Sequence, residues 1–172
     1  MDELRSAGRI SAIGAGVNIW QICERLLNEA NFDCFLFAEC YMLLEQEPLE
    51  TFLPLLLKRV VGVILGFPYN LGIFATGAVD GGLYDYALAP EAILQRLKNL
   101  SAVCTAHKTP LIAVALKLPL GNEAVKFVIL GAPFANKVHE NIEVLKLSIP
   151  PALRFVRKSN SLICTDAPIP KE

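Results

Sequence analysis

The residues best suited to chemistry fall in one stretch, Lys126–Asn141, with the sequence KFVILGAPFANKVHEN. The apolar run 127–130 predicts a strand covered on both faces, followed by a tight turn at 131–133 and a helix from about residue 135. Unpaired N–H groups at a helix N-terminus attract anions, and Lys137 and His139 add positive or titratable charge in the first turns. The stretch therefore predicts either an anion-binding turn or an ordinary strand-to-helix connection without a ligand.

Predicted strands and helices alternate along the whole chain, and their packing determines where the stretch Lys126–Asn141 lies. Within the last helix, Val138, Ile142 and Leu145 recur at helical spacing, so we expect this apolar stripe to pack on a sheet. Strands are predicted at 10–15, 32–38, 60–66 and 126–130, and helices at 1–7, 19–30, 48–59, 90–107, from 110, from 135 and from 150.

The alternation predicts a single α/β domain over residues 1–172, with a parallel sheet and right-handed crossovers. Two architectures fit four strand–helix units. One is a small doubly wound sheet, and the other is part of an eight-stranded barrel, which typically takes roughly 250 residues. Length alone favours the doubly wound sheet.

Several local signals refine this arrangement. Gly14–Gly16 predicts a compact turn after the first strand, and Asn18 is a good N-cap for the helix that follows. Thr109 is a second N-cap candidate, because Pro110 suits a first helical turn. The Gly-rich connection 68–86 is too long for a plain joint, and long loops of this kind are often functional.

Composition excludes several classes of protein. Sixteen basic and 17 acidic residues nearly balance, and no basic stripe indicates a nucleic-acid partner. The apolar runs are short and broken, so no membrane span is predicted, and no apolar segment after a basic start indicates a signal peptide. The five cysteines are scattered and never form C-x-x-C, which is typical of core residues in a reducing cytoplasm and not of a metal site.

Four segments, in order, resemble the aldo-keto reductase family. In detail they are similar to its aldose (D-threo-aldose, L-fucose) and pyridoxal dehydrogenase subgroup. The segments are GAGVN at 14–18, FLFA with YMLLEQ at 35–46, GVILGFPYNLG at 62–72, and VILGA at 128–132 with Glu140 and Asn141 at a set distance beyond it.

The resemblance implies a partial TIM (β/α)8 barrel, namely its second half, strands five to eight with their helices. The family's catalytic tyrosine, lysine, aspartate and histidine lie on the first four strands. None of Tyr41, Tyr69, Tyr84 and Tyr86 falls at the catalytic position, so no catalytic residue is assigned. General acid–base catalysis needs such a tuned proton donor.

The resemblance also implies a site for a nicotinamide cofactor, NADP or NAD. Asn18 matches the asparagine that binds the carboxamide, and Pro68, Tyr69, Asn70 and Gly72 match the loop along the pyrophosphate, where backbone N–H groups are the useful feature. The turn at the adenosine phosphate and the adenine contacts match Gly131, Ala132, Phe134, Glu140 and Asn141. Lys137 falls where NADP-preferring relatives often carry arginine, so it could meet a 2′-phosphate.

Some positions depart from the family pattern. The glutamine that also holds the carboxamide falls at Ala38, and the aromatic residue that stacks on nicotinamide falls at Gly66. Pro133 and Phe134 replace polar residues of the usual turn.

Three functions remain open at this point. The leading one is the cofactor-binding half of an NAD(P)-dependent oxidoreductase acting on sugars or small aldehydes, inactive alone because the catalytic half is missing. The second is a non-enzymatic truncated half-barrel acting as a binding or assembly module, and the third is a small flavodoxin-like regulatory domain. All three place the chain in the cytoplasm, without a nucleic-acid or membrane partner.

A half-barrel should also associate with a partner. Four strands cut from a closed barrel leave unpaired edges at Ile10–Ala15 and Val125–Leu130, so we expect self-association or pairing with a first-half fragment. The side chains expected to be partly uncovered on the interior face are Ile13, Phe35, Leu36, Ile64 and Ile129.

Overall fold

The fold is built on a parallel four-stranded sheet, seen in a computed structural model that describes residues 1–38, 41–79, 81–153, 163, 164 and 167. The strands are β1 (Gly14–Gly16), β2 (Cys34–Ala38), β3 (Gly62–Gly66) and β6 (Val125–Ile129), in that spatial order. Each strand therefore pairs with its sequence neighbour, except that β6 joins β3 across a long connection. The predicted parallel sheet is confirmed.

Helices fill the crossovers between these strands. The helix before β1 and the helices after it are α1 (Asp2–Ser6), α2 (Trp20–Glu29), α3 (Phe52–Arg59), α4 (Ile73–Thr76), α5 (Glu91–Ala106), α6 (Leu111–Leu120) and α7 (Ala135–Lys146). The helix predicted at 48–59 is divided, because Pro48 lies in a separate 3₁₀ turn, Glu47–Leu49, before α3 begins. The last predicted helix, from residue 150, is described only at 151–153. The rest of that prediction lies outside the described residues.

The first strand is shorter and later than predicted. Gly14–Gly16 is the strand itself and not the turn that ends it. The Ile13 N–H donates to Asp33 Oδ2 at 2.7 Å, while the Ile13 carbonyl accepts from the Asp33 N–H at 2.8 Å. Ladder pairing to β2 consequently starts one residue later, at Gly14 opposite Cys34.

The two faces of the sheet differ. Phe35, Phe37, Val63 and Leu65 point toward the helices and are fully buried, in a cluster with α2 and α3. The alternate residues face the other way, where Leu36 is 43%, Phe127 65% and Ile129 52% exposed. Since successive side chains of a strand point to opposite faces, one face lacks a cover among the described residues.

This arrangement corrects three predictions. The apolar run 127–130 was expected to be a strand covered on both faces, but the strand observed there, Val125–Ile129, is covered on one by the described residues. Of the side chains expected to be uncovered, Leu36 and Ile129 are exposed and Ile64 is half-buried. Ile13 and Phe35 are buried, because they point to the helix side.

Helix α7 departs most from its prediction. Its stripe of Val138, Ile142 and Leu145 was expected to pack on the sheet, but these side chains are 46%, 45% and 46% exposed. The helix contacts α6, and its half-buried Val144 packs against the core cluster to which α5 and α6 contribute. The described part of the chain therefore leaves this stripe about half exposed.

Both predicted helix caps are wrong. Ile19 occupies the N-cap position of α2, no side chain caps it, and Asn18 is exposed one residue earlier. At α6 the N-cap position is Pro110, and the Thr109 hydroxyl instead donates to the His107 carbonyl at 3.1 Å.

The long connection after β3 is structured. It contains a 3₁₀ turn (Asn70–Gly72), α4, and an antiparallel hairpin of β4 (Leu83–Tyr84) and β5 (Ala87–Leu88). Asp85 and Tyr86 have φ of 48° and 60°, which is the left-handed pair that a tight two-residue hairpin turn requires. The hairpin brings polar side chains close to the carboxyl ends of the strands.

The cysteines are packing residues where they are described. Cys23, Cys34 and Cys164 are free thiols, Cys104 is buried, and burial raises the pKa of Cys23 to about 11. Cys40 lies outside the described residues. Within the described part of the chain, no helix is long and apolar enough to cross a bilayer.

Candidate functional site

A cavity of about 300 Å³ opens at the carboxyl ends of all four parallel strands. In open parallel α/β sheets and barrels alike, ligands bind at this end. Its lining is mostly apolar, with one exposed amide, that of Asn18. The residues that line it are Gly16, Val17, Asn18, Leu36, Phe37, Ala38, Gly66, Phe67, Ile129, Leu130 and Gly131.

Two of the predicted cofactor residues meet in this cavity. Asn18 comes from the end of β1 and Gly131 from the end of β6, at the two opposite edges of the sheet. A cavity of this size with apolar walls and one amide can hold a planar ring and hydrogen-bond a substituent on it.

Phe67 is a wall of this cavity that sequence reasoning missed. It follows β3 directly, is 51% exposed and has a φ of 54°. A bulky residue in the left-handed region is uncommon, and such strain is often found at functional sites. The sequence signal that could have identified Phe67 as a site residue is its position between the end of a predicted strand and Pro68.

A second cavity, of about 250 Å³, shares Asn18 and Ala38 with the first. Its walls are polar and acidic, including Glu45, Glu47 and Asp85, none of which was predicted as a site residue. Burial raises the pKa of Glu45 above its usual value, and the charges of Glu47 and Asp85 act in the same direction. Among the described residues, no group of histidine, cysteine, aspartate and glutamate side chains is arranged to hold a metal ion.

Asn70 lines the second cavity, but its side chain already has structural partners. It is buried, its Oδ1 accepts the Asp85 N–H at 3.3 Å, and its Nδ2 lies 3.5 Å from Met42 Sδ. Its φ of 41° is one that asparagine tolerates better than most residues. Asn70 therefore ties the hairpin to the segment after β2.

Two of the backbone donors expected of the loop Pro68–Gly72 are engaged within the loop itself. The Asn70 N–H donates to the Phe67 carbonyl at 3.0 Å, and the Gly72 N–H donates to the Tyr69 carbonyl at 3.0 Å. Pro68 has no N–H to give. Since these bonds close the 3₁₀ turn, a pyrophosphate would have to displace them.

Tyr69 packs against the α5–α6 core, as a loop aromatic residue would. Its buried hydroxyl has no hydrogen-bond partner among the described residues, and burial raises its pKa to about 12. Tyr41 is similar: it is fully buried, and burial raises the pKa of its hydroxyl. Such raised pKa values do not suit proton transfer near neutral pH.

The remaining predicted residues lie on an exposed helix end. Lys137 Nζ is 2.6 Å from Glu140 Oε2, and Asn136 Nδ2 is 3.4 Å from Glu140 Oε1. No side chain caps α7, whose N-cap position is Phe134. Ala132 is exposed in the turn and Asn141 is half-buried one turn into the helix. The cation and the carboxylate predicted to contact adenosine thus pair with each other.

The fold and site define an α/β protein with a ligand cavity at the carboxyl ends of a parallel sheet. Residues 1–152 match the model of the Aldo/keto reductase family. The chain therefore belongs to the aldo/keto reductase family.

Two curated relatives are similar over nearly the whole chain. Pyridoxal 4-dehydrogenase of Microbacterium luteolum is 37% identical over 163 residues, which are 95% of this chain and 48% of the relative. D-threo-aldose 1-dehydrogenase of a Pseudomonas species is 30% identical over 154 residues, 89% of this chain and 47% of the relative. The chain spans about half the length of these curated relatives.

Solved structures show the same proportion. Aldo-keto reductase AKR11C1 from Bacillus halodurans, in its holo form, superposes with a TM-score of 0.68 at 21% identity, over 96% of this chain and 53% of that one. Glycerol dehydrogenase AKR11B4 from Gluconobacter oxydans superposes with a TM-score of 0.62 at 15% identity, over 99% of this chain and 54% of that one. The fold is thus that of about half an aldo-keto reductase barrel.

Proposed function

We propose that the chain is the second half of an aldo-keto reductase barrel, strands five to eight, and that it carries the cofactor side of an NAD(P)-dependent oxidoreductase. In such an enzyme the cofactor supplies the hydride chemistry, and the protein binds and orients it. The motif order supports this assignment, since GAGVN, GVILGFPYNLG and VILGA fall at the ends of β1, β3 and β6.

One observation carries the proposal. Asn18 and Gly131, which the resemblance assigns to the cofactor, line the same apolar cavity although they are 113 positions apart in the sequence. The cavity fits a nicotinamide ring, and the Asn18 amide can both donate to and accept from a carboxamide. The apolar walls also exclude water from the ring face.

The pyrophosphate segment fits the cofactor less well. Asn70 and Gly72 use their N–H groups within the turn, so the proposal assigns these two residues a role in shaping the loop. At the adenosine end, Lys137 would exchange Glu140 for a phosphate, and Asn141 lies on the same helix one turn further on. This is the basis for expecting a preference for NADP.

The proposed substrates are sugars or small aldehydes, as the names of the two curated relatives suggest. The hydroxyls of Tyr41 and Tyr69 are buried, and none of the four tyrosines falls at the family's catalytic position, so the chain alone is proposed to lack dehydrogenase activity. A non-enzymatic binding or assembly module is the second candidate, favoured by the uncovered apolar face of the sheet.

Cofactor binding can be tested directly by fluorescence. Trp20 is the sole tryptophan of the sequence and lines the cavity next to the proposed ring site, so its emission should change when NADPH or NADH binds. We expect saturable quenching that Asn18→Ala weakens at least tenfold. Asn99→Ala, on α5, is the matched control, because its Oδ1 bonds only its helix neighbour Gln95 in the contacts described.

The outcomes separate the two candidates. Saturable quenching lost in Asn18→Ala and kept in Asn99→Ala supports the cofactor site. Absence of saturable binding, or equal effects of both variants, contradicts it and leaves the binding module as the better explanation.

A further inference from the structure

The apolar cavity at the strand ends, the ring cavity, adjoins a second cavity whose walls are acidic. Asn18 and Ala38 line both cavities, so the two meet at the ends of β1 and β2. The second cavity is also lined by three carboxylates, those of Glu45, Glu47 and Asp85. Among the described residues that line either cavity, none is a lysine, arginine or histidine. The ring cavity therefore has negative charge on one side.

Ordered turns hold these carboxylates beside the cavity. The Glu45 N–H donates to the Met42 carbonyl at 3.2 Å, and the Met42 N–H donates to the Glu45 carbonyl at 2.8 Å. Glu47 begins the 3₁₀ turn that follows, and the Asp85 N–H donates to Asn70 Oδ1 at 3.3 Å. The backbone at all three positions is thus fixed by hydrogen bonds, which keeps the three charges near the place where the two cavities meet.

The negative charge is only partly compensated. Arg96 Nη1 donates to the Leu44 carbonyl at 2.9 Å, and the positive charge of Arg96 counteracts the rise in pKa that burial and neighbouring carboxylates cause at Glu45. The salt bridges formed among the described residues involve neither Glu47 nor Asp85, whose side chains are exposed. Glu47 and Asp85 are therefore the two charges to test, because a change at Glu45 would also alter the surroundings of Arg96.

An aromatic wall of the ring cavity favours the same sign of charge. Leu65 is fully buried against the helices, and in a continued strand Phe67 would point to that side as well. Instead Phe67 has a φ of 54°, is 51% exposed and lines the ring cavity. The face of an aromatic ring carries partial negative charge and attracts cations. Phe67 is thus a second feature, independent of the carboxylates, that suits a cationic ligand.

We propose that the ring cavity binds the oxidised form of the nicotinamide cofactor more tightly than the reduced form, and that Phe67, Glu47 and Asp85 determine this preference. The nicotinamide ring is a cation when oxidised and neutral when reduced, so these three side chains distinguish the two forms. The inference rests on the proposed function and deepens it. A site with this preference loads the oxidised cofactor and releases the reduced one, which suits the oxidation of a substrate.

Desolvation acts against this preference. The apolar walls exclude water, and a cation loses more hydration there than a neutral ring does. The charge of the oxidised nicotinamide is spread over its ring, however, and delocalised cations such as guanidinium are only weakly hydrated. The carboxylates act through surroundings that are less polar than water, where attraction between opposite charges extends over several ångströms. We therefore expect the oxidised form to be favoured overall.

Titration calorimetry of the oxidised and reduced cofactors into the full chain tests the proposal. The measured quantity is the dissociation constant of the reduced form divided by that of the oxidised form. This ratio isolates the ring, because both forms carry the same phosphates. It should be at least about 5 in the wild type, which corresponds to a shift of about 20 mV in the midpoint potential of the bound two-electron couple, toward more negative values. A potential measured with excess protein provides a second readout.

Three variants assign the preference to its residues. Glu47→Gln and Asp85→Asn should each lower the ratio about threefold, as expected for a unit charge acting over roughly 10 Å in partly screened surroundings. Asparagine suits position 85 because it tolerates the φ of 48° found there. Phe67→Leu keeps an apolar wall without an aromatic face and should lower the ratio about two- to fivefold.

Glu29→Gln is the matched control for the two acidic residues. It removes the same charge, but Glu29 is exposed at the last turn of α2, beside the amino end of the sheet. It should change the ratio less than 1.5-fold. Near-ultraviolet circular dichroism shows whether each variant keeps the native packing.

The outcomes separate this inference from the proposed function. Saturable binding with a ratio of one or below in the wild type would overturn the inference and leave the cofactor site in place. A ratio that all three variants preserve, or one that Glu29→Gln lowers as much as Asp85→Asn does, would also overturn it. Absence of saturable binding of either form would refute the proposed function itself, and the inference with it.

Discussion

Lys137→Ala should weaken the binding of NADP more than that of NAD. Lys137 lies in the first turn of α7, six residues after Gly131 at the proposed ring cavity. The two cofactors differ only in the 2′-phosphate, so a cation that contacts this group selects between them. The variant removes the cation without adding a new group.

The size of the effect follows from two competing contacts. A hydrogen bond to a charged group contributes about 1.5–3 kcal/mol. Lys137 must first leave Glu140, with which it forms an exposed pair 2.6 Å apart, and such pairs contribute about 0.2–1 kcal/mol. The difference is about 1–2 kcal/mol, which corresponds to a selective loss of about 5- to 30-fold.

Titration calorimetry of each cofactor into the wild type and the variant measures this ratio. Lys146→Ala is a close control, because Lys146 pairs with Glu143 at 2.7 Å in the same i,i+3 arrangement at the other end of the helix. It should leave both affinities unchanged. Equal losses of NADP and NAD in Lys137→Ala, or the same selectivity change in Lys146→Ala, would refute the reasoning.

Three further predictions follow. The purified chain should show no dehydrogenase turnover with L-fucose, pyridoxal or simple aldehydes and either cofactor, since acid–base catalysis typically contributes about 10²–10⁴-fold and none of the four tyrosines falls at the family's catalytic position; turnover at ordinary enzyme rates would contradict this. Asn70→Ala should lower the free energy of unfolding by about 0.5–1.5 kcal/mol in urea titrations, because it removes the acceptor of the part-buried hydrogen bond from the Asp85 N–H; an unchanged midpoint would show that other contacts hold the hairpin. The Ile13 N–H and then Arg5 hold the pKa of Asp33 below its usual value, so the stability that Asp33 provides is present above the unfolded-state pKa of about 3.9 and is lost as the pH falls through the folded-state pKa. Asp33→Asn should therefore flatten the acid side of a stability–pH profile, and an unaltered slope would exclude this role.

Much of the fold could be predicted from the sequence because the periodicity of the apolar residues and the positions of glycine and proline indicate the same element boundaries. The apolar runs at 60–66 and 126–130 and the helical stripe at 90–107 correspond to β3, β6 and α5 within two residues. The start of β1 could not be predicted, since it depends on the Asp33 carboxylate, which binds Ile13 from 20 positions away.

The uncovered surfaces were predicted less well, for a related reason. Hydrophobic periodicity predicts that Val138 and Ile142 pack against another apolar surface, but it does not predict whether that surface belongs to the same chain. Likewise the run 127–130 looks equally apolar on both faces, and only the register shows that Phe127 and Ile129 share the open one. Which side chains of the site are already engaged, such as those of Asn70 and Glu140, depends on distant or flexible contacts that spacing does not encode.

The spatial order of the strands also affects how the chain folds during synthesis. Because β1, β2 and β3 lie side by side in chain order, each can add to the edge of the strand made just before it. β6 is different: the hairpin and helices α4 to α6 separate it from β3. On a ribosome that adds about 5–20 residues per second, the edge of β3 therefore waits several seconds for its neighbour. During that interval the nascent sheet exposes the edge of β3, so this is the stage at which misassembly is most easily initiated and a chaperone has most to protect.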